Sequence, residues 1–172
     1  AADETAVSFD PVANSTIEKV GAKRVPLLST GHLKSKVTVM LAAKANGRKL
    51  KPFIVLKGKR IPKELTDFRD GEIFMSESGW MTEAATIEWV RKIWASFSFG
   101  RRLLSWDAFR CHRMPSVKYE LKKLRTDVAM IPSGCTGLLQ APDVSWIKPF
   151  KASYALLHEK WMSSVGCSEQ NF

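Results

Sequence analysis

VTVMLAAKANGRKLKPFIVL, residues 37–56, sets two apolar runs rich in β-branched and aromatic side chains on either side of Asn46-Gly47. Asn-Gly tolerates the positive φ of a tight reversal, so the stretch reads as a β-hairpin, with Val37 to Ala43 going out and Phe53 to Leu56 returning. Upstream, the short and mostly apolar Thr5 to Phe9 reads as a first strand. It ends at Asp10-Pro11, where proline fixes its own φ and restricts the residue before it. Gly21 and Gly31 punctuate two weaker segments between strand and hairpin. Downstream, Lys57 to Arg60 and the turn-rich Asp67 to Gly71 form a basic loop ahead of a short strand at Ile73 to Ser76.

The period changes at Thr82, a suitable N-cap. Ile87, Val90, Trp94 and Phe97 recur at offsets of three and four, the spacing of one helical face. A buried strand, Leu103 to Trp106, follows. The next helix runs from Pro115 to Leu124, with proline in its first turn and Val117, Leu121 and Leu124 inward. Val128 to Ile131 is the next strand, and Pro132-Ser133-Gly134 opens a loop to Pro142. Ile147, Phe150, Tyr154, Leu157 and Trp161 then predict a last amphipathic helix ending near Met162, with Pro149 in its first turn or kinking it. Antiparallel strands followed by helix, strand, helix, strand, helix imply a mixed α/β sheet with helices on both faces. The ribonuclease H-like architecture is one of several that has this order.

The 172 residues are enough for one domain with a sizeable core. No apolar run reaches the ~20 residues of a membrane span, and no secretory signal pattern is visible. Cys111, Cys135 and Cys167 are odd in number and widely spaced, which indicates neither a disulfide framework nor a structural zinc site and fits a reducing compartment. Charge is more telling. The net charge is +10, and Lys19 to Lys63 holds thirteen Lys or Arg and no Asp or Glu. A one-signed field of this kind attracts polyanions, nucleic acid first; the bland alternative is a solvated basic face. A basic RNA-binding domain lacks support, because no aromatic RNA-reading motif is present.

Three aspartates sit where one kind of segment gives way to another: Asp3 at the start of DETAVSF, Asp107 after Leu103 to Trp106, and Asp143 at the head of the last amphipathic segment. Carboxylates at segment ends can converge, and three that do so in a basic protein suit hard divalent cations and metal-assisted phosphodiester chemistry. Singly, Asp107 could simply end a strand, Asp143 could be a helix N-cap and Asp3 a frayed terminal residue. Glu4 should point to the opposite face of its strand from Asp3 and is expected at the surface. His112, five residues after Asp107, could approach the site, but a structural or exposed role is the usual one. His32 and His158 have no metal-ligand spacing, and the six tryptophans are expected mostly in the core; Trp146 and Trp161 could be partly exposed for protein contacts, though the helical offset that includes Trp161 favours burial.

DETAVSFD, STGHLKSKVTVMLAAKANGRKLKPFIVLKGK, WDAFRCH and IPSGCTGLLQAPDVSWIKPFK occur in that order from residue 3 to residue 151. Together they resemble the successive motifs of the pogo/Tigger branch of mariner-like DDE transposases, over residue 1 to about Met162. The resemblance implies a ribonuclease H-like catalytic core over residues 1–165 with a flexible tail at 166–172. It implies Asp3, Asp107 and Asp143 as the catalytic, metal-binding triad, two Mg2+ or Mn2+ ions, DNA as partner, a possible homodimer in a nucleoprotein complex, and a nuclear location. One departure is LQAPDV where the family commonly reads LQPLDV. Another is Ile147 where an asparagine usually precedes KPFK, which puts an apolar group on the helical face of Asp143; changes next to a metal ligand typically weaken affinity or activity by about 10–100-fold. Most of the strand leading into Asp3, and the amino-terminal helix-turn-helix of this branch, are expected to lie outside the chain.

Phosphate contacts are expected from Lys44, Arg48, Lys49, Lys51, Lys57, Lys59, Arg60 and Lys63 around the hairpin; Arg110 and Arg113 beside Asp107, and Lys148 and Lys151 beside Asp143, read equally as phosphate contacts or as a solvated basic rim. Two readings follow. One is a DDE-type nuclease or strand transferase; the other is a catalytically silent, domesticated DNA-binding or protein-interaction module on the same scaffold.

Overall fold

Residues 1–11, 20–21, 35–97 and 100–169 are described by the structure, a computed structural model. The weaker segments expected around Gly21 and Gly31, and His32, lie outside the described residues. β1 (Ala2–Ser8) pairs antiparallel with β2 (Lys36–Ala42), which pairs antiparallel with β3 (Phe53–Lys57). The reversal between β2 and β3 uses Asn46-Gly47 as the sequence requires. Gly47 has φ +83°, its N–H donates to the Lys44 carbonyl at 3.0 Å, and Asn46 Oδ1 accepts the Arg48 N–H at 3.1 Å. β4 (Glu72–Ser76) runs parallel to β3, with Phe53 opposite Glu72. The antiparallel part of the sheet therefore ends at β3, because the chain crosses back through the loop after Gly58 instead of reversing tightly.

α1 (Glu83–Trp89) starts where Thr82 Oγ1 accepts the Ala85 N–H at 3.2 Å, and continues in a wider π-type turn, Val90–Trp94. β5 (Arg102–Asp107), α2 (Pro115–Lys123) and β6 (Thr126–Ile131) form a strand-helix-strand crossover, with β5 and β6 parallel. The two ladders are separately hydrogen-bonded, β1-β2-β3-β4 and β5-β6, and β5 packs beside β1. The result is the expected mixed α/β arrangement, consistent with a ribonuclease H-like fold. Met40, Phe53 and Val55 of the sheet pack against Trp89, Val90 and Trp94 of the α1 segment and against Leu104, Trp106, Val117 and Leu121. Large aromatic groups dominate such a core, since each buries about 150–250 Å².

α3 (Thr136–Leu139) leads into a π-type turn, Pro142–Trp146, and then α4 (Ile147–Glu169), with Pro149 in its first turn. Proline has no N–H to give the carbonyl one turn back, which fits the irregular turn just before it. α4 runs past Met162, where the apolar offsets stop. Its apolar face is not a core face along its length: Leu157 and Trp161 are exposed, as is Trp80, against the expectation of burial. At 1.5 Å per residue this 23-residue helix spans roughly 35 Å. It is tied down near the end of β1, where Tyr154 Oη donates to the Phe9 carbonyl at 3.2 Å and His158 Nε2 lies 3.4 Å from Asp10 Oδ1. Among the described residues no helix is long and apolar enough to cross a membrane.

Candidate active site

Asp3 is the second residue of β1 and is buried. One carboxylate oxygen, Oδ1, accepts the Glu4 N–H at 2.8 Å, and the Gln140 side chain also hydrogen-bonds to the group. The carboxyl is nonetheless pushed up to about 7. Burial is the largest cause and the charges of Glu4 and Asp143 add to it, outweighing the two hydrogen bonds. Asp143 lies in the exposed π-type turn ahead of α4, close enough for its charge to act on Asp3. Gln140, just before that turn, is buried, and its Oε1 has no hydrogen-bond partner.

Asp107 is the last residue of β5 and half-buried. Its Oδ1 takes two hydrogen bonds, from His112 Nδ1 at 2.8 Å and from the Phe109 N–H at 3.1 Å, while Oδ2 has no donor among the described residues. Burial pushes this carboxyl up, but the His112 hydrogen bond, the Phe109 N–H and the His112 charge outweigh it and hold the group below the usual range. Side by side, the two aspartates are in opposite states. Asp107 has a cationic neighbour, and Asp3 has anionic ones.

His112 is the residue that sequence reasoning undervalued. It is fully buried in the 3-10 turn Arg110–Arg113 after β5. Its ring lies flat on Trp106, centroids 4.0 Å apart with 5° between the planes, and edge-on to Phe109 at 5.6 Å. Nε2 is 2.9 Å from Glu4 Oε1, so the ring joins a side chain of β1 to one of β5. Glu4 is therefore not a surface residue, as its neighbourhood in sequence suggested. It does point away from Asp3, as strand alternation demands, but that face of β1 is covered and its side chain is only 13% exposed. Two carboxylates can only accept, so both ring nitrogens donate and the ring is an imidazolium. Burial alone would lower the pKa of His112; the hydrogen bonds and charges of Asp107 and Glu4 overcome that and raise it to about 9.

The structure thus brings Asp3 and Asp143 within electrostatic reach of each other and places Asp107 on the strand packed beside β1. Among the described residues no three His, Cys, Asp or Glu side chains are grouped closely enough to hold a metal ion. The donors themselves suit a hard cation: a buried carboxyl raised by like charges, an open carboxylate oxygen on Asp107 and an orphaned amide oxygen on Gln140. Gln140 was missed by sequence reasoning; its only signal was its place three residues before Asp143.

The basic residues named from the sequence are exposed, apart from half-buried Lys44. They form no single ribbon. Lys44, Arg48 and Lys49 sit at the β2–β3 turn, whereas Lys57 ends β3 at its opposite end and Lys59, Arg60 and Lys63 follow it. Lys51 lies before β3 and donates to the Arg69 carbonyl at 3.1 Å. Arg110 and Arg113 flank His112 in its turn, and Lys148 and Lys151 are on the first turns of α4.

Over residues 34–171 the chain matches the family described as DDE superfamily endonuclease. It is 34% identical over 166 residues to the "Pogo transposable element with KRAB domain" of Mus musculus, and 35% identical over the same length to the protein of that name from Homo sapiens. Each match takes in 94% of this chain and 27% of the relative. The "Tigger transposable element-derived protein 4" of Mus musculus is 26% identical over 146 residues, 83% of this chain and 28% of that protein. The chain spans about a quarter of the length of these curated relatives. No solved structure matches it.

Proposed function

From the premise that this chain belongs to the DDE superfamily endonuclease family, we propose that it is a nuclear, DNA-binding domain performing metal-dependent cleavage or strand transfer of phosphodiesters through Asp3, Asp107 and Asp143. The observation that carries this reading is the state of Asp3, a buried carboxyl raised to about 7 by burial and by the charges of Glu4 and Asp143. Burying like charges together is costly unless a cation answers them. The Oδ2 of Asp107 on the adjacent strand, with no donor among the described residues, supports the same reading.

Asp3, Asp107 and Asp143 would hold the ions, Mg2+ or Mn2+, with Gln140 fixing Asp3. When bound, two such ions lower the pKa of an attacking water or 3′-hydroxyl and stabilise the leaving oxygen. The chain's own residues do the rest. The Phe109 N–H and His112 hold one oxygen of Asp107, and burial keeps Asp3 out of bulk water. Arg110, Arg113, Lys148 and Lys151, beside the acidic residues in sequence, offer charge to the DNA backbone, and Arg48 and Lys49 lie at the end of the sheet where β1 begins.

A second reading, a catalytically silent DNA-binding or protein-interaction module, is favoured by Ile147 on the helical turn after Asp143 and by the lack of a three-ligand group among the described residues. Nicking of supercoiled and linear duplexes in Mg2+ or Mn2+ separates the two. The expected result is metal-dependent cleavage that Asp107→Ala reduces at least ~10³-fold, as removal of a central metal ligand should. DNA binding that is indifferent to Asp107→Ala, with no cleavage by the unaltered chain, would leave the silent module standing.

A further inference from the structure

β1 and β5 pack side by side, yet each finds its ladder partner elsewhere, β1 in β2 and β5 in β6. Across that seam the backbone ladders impose no common register. His112 supplies a link between side chains instead, with Nε2 on Glu4 of β1 at 2.9 Å and Nδ1 on Asp107 of β5 at 2.8 Å. The ring is itself fixed. It is clamped flat on Trp106, edge-on to Phe109, and its Nδ1 also lies 3.2 Å from the Asp107 carbonyl.

We propose that His112 is a positioning residue for the metal-dependent reaction, locking Asp107 through Oδ1 and tying it to Glu4 so that Oδ2 is presented at the β1–β5 seam. This rests on the functional reading above. Three features argue for positioning beyond mere bracing. Asp107 ends its strand, where no further ladder residue restrains its side chain. Among the described residues both of its side-chain hydrogen bonds converge on the same oxygen, which fixes the torsion of the carboxylate and leaves the other oxygen without a donor there. Finally, the other anchor of the link, Glu4, is the chain neighbour of Asp3, so the link joins Asp107 to the β1 residue next to Asp3. Side chains that orient a ligating carboxylate commonly affect metal affinity by about 10–100-fold when altered.

The test is Mn2+ binding by calorimetry on the whole chain, comparing the unaltered protein with His112→Gln and Glu4→Gln, alongside thermal melts and the Mn2+ concentration for half-maximal nicking. Glu4→Gln keeps the size and hydrogen-bonding shape of the buried group, so it serves if His112→Gln does not fold. The expected result is cooperative melting with Mn2+ affinity about 10–100-fold weaker, a matching rise in the half-maximal Mn2+ concentration, and unchanged duplex affinity in the absence of metal. Folded variants with unaltered Mn2+ affinity would overturn the positioning role alone. Loss of cooperative melting in both variants would also overturn it, reducing the link to a folding element. An unaltered chain that binds no Mn2+ would sink the functional reading, and this inference with it.

Discussion

Asp3 and Glu4 are consecutive acidic residues on one strand, and the two faces of β1 treat them in opposite ways. On one face Glu4 meets a buried imidazolium that a second carboxylate, Asp107, also holds. On the other, Asp3 meets Gln140 and the like charge of Asp143, and its carboxyl rises to about 7, burial contributing most. The first face is largely closed, with the imidazolium answering Glu4 and one oxygen of Asp107 from within the protein. The second is left with negative charge that the described residues do not neutralise. Proteins rarely keep such a face without a use for it, because stability and function pull apart where a site must wait for a ligand.

The contrast can be broken most directly on the closed face. Trp106 carries the His112 ring and is fully buried, so Trp106→Ala should cost roughly 3–5 kcal/mol in chemical denaturation, the usual range for deleting a large buried aromatic. A loss below 1 kcal/mol would mean that the His112 face is not the packed unit described here.

Two isosteric changes sharpen the contrast, because they should act with opposite sign near neutral pH. Glu4→Gln removes an anionic partner of the imidazolium and should destabilise by roughly 1–2 kcal/mol, the low part of the range for hydrogen bonds to charged groups, since Glu4 also raises Asp3. Asp3→Asn removes a charge that folding disfavours and should stabilise by roughly 1–3 kcal/mol above pH 7, after allowing for water near the site. The pH dependence follows from the same groups. Folded Asp3 holds its proton more tightly than an ordinary aspartate, which titrates near 3.8, so its share of stability is lost as pH rises from about 4 to about 7. His112 is raised from 6.5 to about 9, so its contribution is full below 6.5 and is lost as pH rises through about 9. Melting temperatures across pH should therefore fall in two steps, with Asp3→Asn abolishing the acid-side step alone. Both isosteres shifting stability in the same direction would end the contrast.

Much of the scaffold was legible because it rests on local chemistry. Asn46-Gly47 dictates its turn, Thr82 caps its helix, and Pro115 opens α2, whatever the rest of the chain does. Alternation along β1 correctly sent Glu4 away from Asp3, but periodicity does not say what covers a face. The cover here is His112, 108 positions away in the chain, and the same blindness placed Trp161 in a core that it does not join. The three aspartates were found through segment ends and motif resemblance. Their unequal states, one tied to a cation and one crowded by anions, depend on distances between elements that no local pattern carries.

The smallest effect concerns how the basic residues divide. In the β1–β2 register Ala2 lies opposite Ala42, so the end of β1 that carries Asp3 is the end where β2 runs out into the Lys44–Lys49 turn. Lys57 ends β3 at its far end, and Lys59, Arg60 and Lys63 follow it. If DNA approaches the open face at Asp3, the two clusters should not count equally. Arg48→Glu with Lys49→Glu should weaken duplex binding and lower the slope of log affinity against log salt by up to about 2, as loss of two phosphate contacts requires. Lys59→Glu with Arg60→Glu should shift affinity only through the general field, a few-fold at low salt, with the slope nearly unchanged, because exposed charges beyond the ~10 Å screening length at 0.1 M salt are largely hidden from each other. Equal slopes for the two pairs would place the duplex along the whole strand instead of at the end of the sheet where Asp3 lies.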